Sequence, residues 1–291
     1  MNPNIFRLSV LLAVATIPAT GLLAQAPKVQ FPAASPACTL KQRVGLTDIQ
    51  VSYSRPGMKG RKIFGGIVPY GQVWRTGANQ STKLRFSTDV KLNGVDVPAG
   101  EYGLYTIPGP DEWTIIISKN TKLWGAYGYK QDDDLARFEV EPVALAEPVE
   151  TFTIEFGQIR DDSAVLYLLW DKTLVPIRIQ LDLVSRLLPQ IEAAMAAPGR
   201  KSPGLCYQAA SFYFDHGQDL NKPLEWVNEG LVGNPFMSFE LLHLKAAILA
   251  RLGRKQEAIE AAKKSTALAL KAEGPASSFI QMNKDIISSL Q

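Results

Sequence analysis

Histidine is scarce in this chain, which has two among 291 residues. Both of them, His216 and His243, lie in the C-terminal third, and we interpret both as structural residues rather than ligands or bases. A Ser-His-Asp triad or a histidine-based metal site is therefore excluded from the first two thirds of the chain. The sequence predicts no catalytic residue, no metal site and no cofactor, and it favours a role without catalysis while leaving enzymatic activity open.

Cysteine is equally scarce, with Cys38 and Cys206 as the two examples. They could form one disulfide in an oxidising compartment. The alternative is that both are small buried apolar side chains. Neither has neighbours at the spacing of metal ligands, so cysteine predicts no metal site either.

Long apolar runs are missing beyond the N-terminus. Residues 8–19 are apolar and follow Arg7, but this run is too short to span a bilayer. It is typical of a secretory signal that is cleaved after Ala24. We therefore predict a signal peptide over 1–24, a flexible segment over 25–37, a periplasmic or secreted location and no integral membrane segment in the mature protein.

Negatively charged residues are absent between Asp48 and Asp89, a stretch that contains no Asp or Glu. The basic residues in that window are Arg55, Lys59, Arg61, Lys62, Arg75, Lys83 and Arg85. The formal net charge of the whole chain is only +3, so bulk charge predicts no nucleic-acid or membrane partner. The basic residues are a local feature that needs its own explanation.

Glycine and proline, in contrast, are abundant in residues 54–86, where they exclude a regular helix or strand of normal length over most of the stretch. Glycine lets backbone amides approach a ligand, and unpaired arginines attract anions, so one interpretation is an anion-binding loop. The alternative is an Ω-like loop whose cations pair with carboxylates from elsewhere, such as Asp132, Asp133 and Asp134.

A second cluster of aromatic residues and glycine spans residues 124–129, with the sequence WGAYGY. If it lies beside Trp74, the two stretches form one pocket with Arg61 and Arg75 at its rim. The alternative is that these rings close one end of the core. The predicted ligand-binding residues are Arg61, Trp74, Arg75, Asn79, Tyr127 and Tyr129.

Hydrophobic periodicity divides the chain into two parts. Short alternating runs separated by turn residues predict an antiparallel β-sandwich or barrel over 38–183. After Asp182 the spacing becomes helical, which predicts a linking helix over 184–199 and a helical domain over 200–291. The predicted fold class is α+β by segregation.

The helical part also repeats itself with a period of about 34 residues, which is typical of tetratricopeptide repeats. Small residues recur in the pairs Pro223 and Ala258, Val227 and Ala262, and Gly230 and Ser265. Stacked helix pairs of this kind usually present a surface for another protein. We therefore predict a tetratricopeptide-like domain that docks a protein partner.

Several ordered motifs resemble those of a known family. They are VSYSRPGMKGRKIFGGIVPYGQVWRTGANQSTKLRFSTDV, VPAGEYGLYTIPG, EWTIIISKN, WGAYGY and EPVETFTIEF. Together they resemble the secreted bacterial domain of unknown function family 2911, over residues 38–181. The resemblance implies an exported β-rich domain, often followed by tetratricopeptide-like helices, and it supplies no catalytic residues.

The leading hypothesis is an exported two-domain binding protein. Its sandwich would bind a small or polymeric ligand, anionic or saccharide, and its helices would dock a protein. One alternative is a cell-envelope carbohydrate or peptide hydrolase that uses carboxylates. The candidate carboxylates are Asp132, Asp133, Asp134, Glu139, Glu141, Asp161 and Asp162. Another alternative is a purely structural envelope protein.

Overall fold

The computed structural model describes residues 30–217, 219–233 and 237–291. The predicted signal peptide, 1–24, and the first part of the predicted flexible segment, 25–29, lie outside the described residues. The described chain has its strands first and its helices afterwards, with ten strands up to Gln180 and six α-helices from Leu183 onward. The predicted segregation of β and α structure is confirmed.

The strands form two antiparallel sheets. In chain order they are β1 (Ala37–Val44), β2 (Thr47–Ser54), β3 (Thr82–Phe86), β4 (Val90–Leu92), β5 (Val95–Val97), β6 (Gly100–Ile107), β7 (Trp113–Ser118), β8 (Asp134–Val140), β9 (Val143–Gly157) and β10 (Ser163–Gln180). The larger sheet has the order β1-β2-β3-β6-β7-β8, and the smaller has the order β5-β4-β10-β9.

Side-chain alternation decides which residues form the core between the sheets. In β2 the buried Ile49 and Val51 are paired with Phe86 and Leu84 of β3, and all four face inward. The smaller sheet contributes Ile154 and other buried side chains to the same apolar cluster. The predicted antiparallel sandwich is therefore confirmed, with one face of each sheet in the core and the other turned outward.

Two strands differ from the expectation. The segments 164–170 and 174–181 look like separate strands in the sequence, but residues 163–180 form the single strand β10, whose register shifts on both sides of Asp171. Asp171 has a φ of 53°, so the strand bends at a bulge without ending. The edge strand β1 was not predicted, because it buries little and its apolar alternation is weak.

The helices begin directly after Asp182, where the spacing of apolar residues becomes helical. They are α1 (Leu183–Ala196), α2 (Pro203–Asp215), α3 (Asn221–Leu231), α4 (Ser238–Arg251), α5 (Lys255–Glu273) and α6 (Ser278–Ser289). The start of α1 is fixed by Asp182, whose side chain accepts a hydrogen bond from Ser185 N. Ser202 caps α2 in the same way, with Pro203 in the first turn.

Small residues allow the helices to pack closely. A Cβ on Gly230 of α3 would lie 2.9 Å from the Cβ of Cys206 in α2, so glycine permits this contact. Ala258, Ala262 and Ser265 of α5 are fully buried. Their predicted equivalents in α3, which are Pro223, Val227 and Gly230, are buried as well. Helix α2 packs on α3 and α4 packs on α5. A tetratricopeptide-like repeat remains a prediction.

The two cysteines lie in different parts of the molecule, and both are free thiols. Burial raises the pKa of the Cys206 thiol, as expected for a small apolar side chain in a helix interface. The sandwich and the helices also touch, since His216 Nε2 at the end of α2 lies 2.9 Å from Asp161 Oδ2 in the β9–β10 turn. Across the described ranges, no helix combines the length and apolar character needed to cross a bilayer.

Candidate functional site

The connection between β2 and β3, residues 55–81, enters the sandwich at Trp74. The backbone N–H of Trp74 donates to Thr106 O at 2.7 Å, and Thr106 N–H donates to Trp74 O at 2.9 Å. Trp74 therefore continues the sheet beside β6 beyond Thr82, the first residue of β3. Its side chain points inward and is 8% exposed. The indole N–H donates to Gly77 O at 3.1 Å, so it is already satisfied.

Other aromatic rings surround Trp74 inside the sandwich. Trp170 stacks on it at 5.8 Å between centroids, and Phe152 and Phe64 meet it edge to face at 5.2 and 6.0 Å. Phe64 in turn contacts Trp113 at 4.8 Å. The structure thus places the Trp74 ring in the core, where it stabilises the fold and presents no surface to a ligand.

Arg75, the next residue, points to the opposite face of the larger sheet. Because Trp74 pairs with Thr106, the antiparallel register puts Arg75 beside Tyr105 on the outer face. Its Nε atom is fully buried and has no hydrogen-bond partner among the described residues. Burial lowers the pKa of the Arg75 guanidinium, which nevertheless stays charged because an arginine cannot be deprotonated under ordinary conditions.

No ion pair of Arg75 occurs within residues 30–217, 219–233 and 237–291. Two of the three carboxylates that the sequence analysis named as partners, Asp133 and Asp134, bind other residues. Asp133 Oδ2 accepts from Asn120 Nδ2 at 3.1 Å. Asp134 Oδ2 accepts from Arg137 Nε at 2.6 Å. For Arg75, the interpretation of a loop cation paired with an internal carboxylate is therefore not supported.

The connection between β7 and β8, residues 119–133, covers part of the outer face beside Arg75. A Cβ on Gly103 of β6 would stand 2.7 Å from Asn120 O, so this close approach requires glycine. Under the segment lie Tyr105 and Ile116, both fully buried although they belong to the outward row of the sheet. A polypeptide segment thus replaces solvent over this part of the face.

Tyr129 anchors the covering segment. Its hydroxyl donates to Asp134 Oδ2 at 2.7 Å and also contacts Arg137, while its ring lies 5.3 Å from that of Tyr105. Burial and the hydrogen bond to Asp134 raise the pKa of Tyr129 to about 12. The Tyr129 hydroxyl is therefore bound within the fold, and Tyr129 holds the covering segment against the sheet.

Tyr127 and Trp124 of the same segment point away from the protein, with 81% and 61% of their surfaces exposed. Between them Gly125 has a φ of 71°. A Cβ at Gly125 would stand 3.1 Å from the Tyr127 ring and 3.6 Å from Arg75 Nη1. The exposed ring and the guanidinium therefore both lie within 3.6 Å of the position that a Cβ at residue 125 would occupy.

Two buried hydroxyls complete this arrangement. Ser81 is 3% exposed and Tyr105 is 0% exposed, and neither hydroxyl makes a well-formed hydrogen bond within the described chain. They lie next to each other, and this contact partly offsets the burial that raises the pKa of Tyr105. Buried polar atoms without partners are rare and typical of a place that water or a ligand completes. We define the Arg75–Tyr127 site as Arg75, Ser81, Tyr105, Gly125 and Tyr127.

Two predicted site residues are used for local structure. Arg61 donates from Nε to Met58 O at 2.8 Å and from Nη2 to Gly57 O at 2.6 Å, which fixes its own loop. The Asn79 side chain donates to Ser35 O at 3.3 Å and to Ser54 Oγ at 3.2 Å.

The backbone carbonyl of Asn79 accepts from Gly125 N at 2.9 Å and so joins the two loops. The structure therefore brings Arg75, Tyr127 and Tyr129 together with the backbone of Asn79. It places the side chains of Trp74 and Arg61 in other surroundings.

Sequence reasoning missed three residues of the site, namely Ser81, Tyr105 and Gly125. The position of Tyr105 could have been inferred from the sequence, because side-chain alternation from the inward Tyr102 and Leu104 puts it on the outward face. A large ring at an outward position indicates that something covers it. Ser81 carried no signal, since its burial depends on how two distant loops meet.

The fold and the site define a two-layer antiparallel sandwich followed by helices, with a half-buried arginine on one outer face that forms no ion pair among the described residues. Residues 35–179 match the family model described as "Protein of unknown function (DUF2911)". The chain belongs to this family through its β domain, as the ordered motifs suggested. Searches of curated proteins and of solved structures gave no match.

Proposed function

We propose that the β domain is a binding module and that the Arg75–Tyr127 site takes a carboxylate-bearing saccharide. The observation that carries this proposal is Arg75. Its guanidinium is half-buried, its Nε has no acceptor, and no carboxylate pairs with it in the described residues. A charge removed from water without a counter-ion is unfavourable unless a ligand supplies one.

The chemistry of the neighbouring groups fits such a ligand. A guanidinium offers parallel N–H donors that match the two oxygens of a carboxylate, and partial burial strengthens the interaction. The exposed Tyr127 ring offers a flat apolar surface with a polar edge, which suits a sugar ring. The buried hydroxyls of Ser81 and Tyr105 lie next to each other and form the inner side of the site.

The rest of the molecule has a second role in this proposal. Helices α2 to α5 pack as consecutive pairs, which supports a tetratricopeptide-like surface for a protein partner. The short apolar run at 8–19 supports export to the periplasm or the outside of the cell. The protein would then hold an envelope saccharide with one domain and a protein with the other, without catalysis.

The direct test is binding of galacturonate, with galactose as the uncharged comparison, by isothermal titration calorimetry. We expect wild type to bind the uronate and Arg75→Gln to lose at least about tenfold in affinity, because the charged hydrogen bonds are lost. Arg178→Gln is the matched control, since Arg178 is an exposed, outward-facing arginine on β10 of the other sheet. Equal uronate affinity in wild type and Arg75→Gln would overturn the proposal.

A second pair of variants tests the site without changing a charge. Gly125→Ala and Gly128→Ala impose similar backbone strain, since the two φ values are 71° and 78°. Only the methyl group at Gly125 would enter the space between Tyr127 and Arg75, because a Cβ at Gly128 meets nothing nearer than Leu123 at 3.8 Å. We expect uronate binding to weaken in Gly125→Ala and to persist in Gly128→Ala. Equal binding by both variants would contradict the assignment.

A further inference from the structure

We infer that the ligand is a linear acidic polysaccharide, which runs from the Arg75–Tyr127 site across the outer face of the larger sheet toward β1. This inference rests on the proposed function and extends it from one sugar unit to a chain. We define the outer-face groove by Thr39 and Lys41 of β1, Gln50 and Ser52 of β2, and Lys83 and Arg85 of β3. The following observations carry it.

The strand register forms a flat polar floor. Ser52 pairs with both Thr39 and Lys83, which gives one row of outward side chains across three strands. The row two residues away consists of Lys41, Gln50 and Arg85. Neighbouring rows are about 6.8 Å apart along the strands. Short hydroxyls and an amide alternate with long cations, so that a chain can lie flat between the cations.

Ser81 connects this floor to the Arg75–Tyr127 site. It lies just before β3, in line with Lys83 and Arg85, and it lines one cleft together with Ser52 and Lys83. Its buried hydroxyl lies next to that of Tyr105, so Ser81 contacts both the cleft and the Arg75–Tyr127 site.

The charges of the groove set the kind of polymer. Lys41 and Arg85 make no ion pair in the part of the chain that the structure describes, and Arg75 does not either. Lys83 lies 3.6 Å from Glu101, a long and partly exposed contact that contributes little. Unpaired cations at intervals along one face favour an anionic group on successive units of a chain.

The same groove disfavours a nucleic acid. Asp48 forms a two-point contact with Arg43 at 2.8 Å at the edge of the groove, and Glu101 lies within it. These carboxylates would repel a dense row of phosphates. The chain as a whole is also close to neutral, unlike strongly basic nucleic-acid-binding domains. A sparsely charged, hydroxyl-rich chain fits the floor of hydroxyls and amide better.

The test is the dependence of affinity on ligand length, measured by calorimetry with oligogalacturonates of about one, two, four and six units, a series chosen to exceed the row spacing several-fold. We expect affinity for wild type to rise by at least about tenfold from the dimer to the hexamer, as added units engage the groove. Lys41→Gln/Arg85→Gln should lose this gain while it binds the monomer as wild type does. Arg178→Gln should retain the gain, because its charge lies on the other sheet.

The outcomes separate this inference from the proposed function. Monomer binding that depends on Arg75, with no gain for longer oligomers, would overturn the inference and leave the binding site standing. A length gain that persists in Lys41→Gln/Arg85→Gln would also overturn it. A length gain with oligoglutamate or single-stranded DNA of matched charge, and none with oligogalacturonate, would overturn the saccharide assignment. Absence of any uronate binding would overturn both proposals.

Discussion

Two segments of this protein have similar compositions and opposite structures. Residues 55–81 and 119–133 are both loops in which aromatic residues alternate with glycine. The first sends Phe64 and Trp74 into the core. The second lies on the outer face of the larger sheet and exposes Trp124 and Tyr127. Composition therefore predicts that rings and tight turns occur together, while the side of the sheet decides whether a ring packs in the core or is exposed on the surface.

The cause of the difference is local strand geometry. Trp74 forms a short stretch of sheet with Thr106, so its side chain must follow the inward row. The same alternation turns Arg75 outward, beneath the second segment. Neighbouring residues thus serve the two regions, one in the aromatic core and the other at the surface site.

The largest effect should come from removing a ring of the core. Trp74→Ala should lower the free energy of unfolding by about 3–5 kcal/mol, because it leaves a cavity among Phe64, Phe152 and Trp170. Trp124→Ala is the matched change in the other segment and should alter stability by less than about 0.5 kcal/mol. Urea unfolding followed by circular dichroism measures both. Similar losses in the two variants would mean that the comparison is wrong.

A smaller effect should distinguish two arginines of the first segment. Arg55 donates from Nε to Phe152 O at 3.2 Å and from Nη2 to Thr153 Oγ1 at 2.7 Å. Arg55→Lys should therefore cost about 1–2 kcal/mol, because lysine cannot make both bonds. Arg75→Lys should change stability by less than about 0.5 kcal/mol, since no internal partner is lost in the described chain. Thermal melting compares them, and a large loss in Arg75→Lys would indicate an internal ion pair.

The smallest effect concerns the anchor of the second segment at alkaline pH. The pKa of Tyr129 is about 12 in the folded protein against 10 for an ordinary tyrosine. The raised value means that the contribution of Tyr129 is fully present below pH 10 and is lost as the pH rises toward 12. Tyr129→Phe should therefore flatten part of the decline in stability over that window. Urea unfolding at several pH values tests this, and an unchanged decline in Tyr129→Phe would contradict it.

Much of the fold was predictable, because periodicity is a local property. The hairpin of Val90–Leu92 and Val95–Val97 is evident from the sequence, because Asn93 and Gly94 are typical of a two-residue turn between short strands. The switch to helices after Asp182 was also visible in the spacing of apolar residues. The continuity of β10 through Asp171 was not visible, since a bulge looks like a strand end in sequence.

The site was only partly predictable, because it depends on contacts between distant residues. The missing acidic residues around Arg75 left two interpretations open, a site for an anion or a pair with a distant carboxylate, and the structure places Arg75 beside Tyr127. The sequence also suggested that Trp74 lines the same pocket. It could not show that adjacent side chains point to opposite faces, since that requires the pairing of Trp74 with Thr106. The part played by Ser81 likewise depends on the packing of the two loops.

The central claim is that the Arg75 guanidinium takes its counter-ion from outside the chain. The most direct measurement is the side-chain 15N resonance of Arg75 Nε, followed by NMR while galacturonate is titrated into the wild-type protein. We expect a saturable shift at Arg75 Nε and none at Arg55 Nε, which already donates to Phe152 O. An Arg75 Nε resonance that stays unmoved up to saturating uronate would contradict the account.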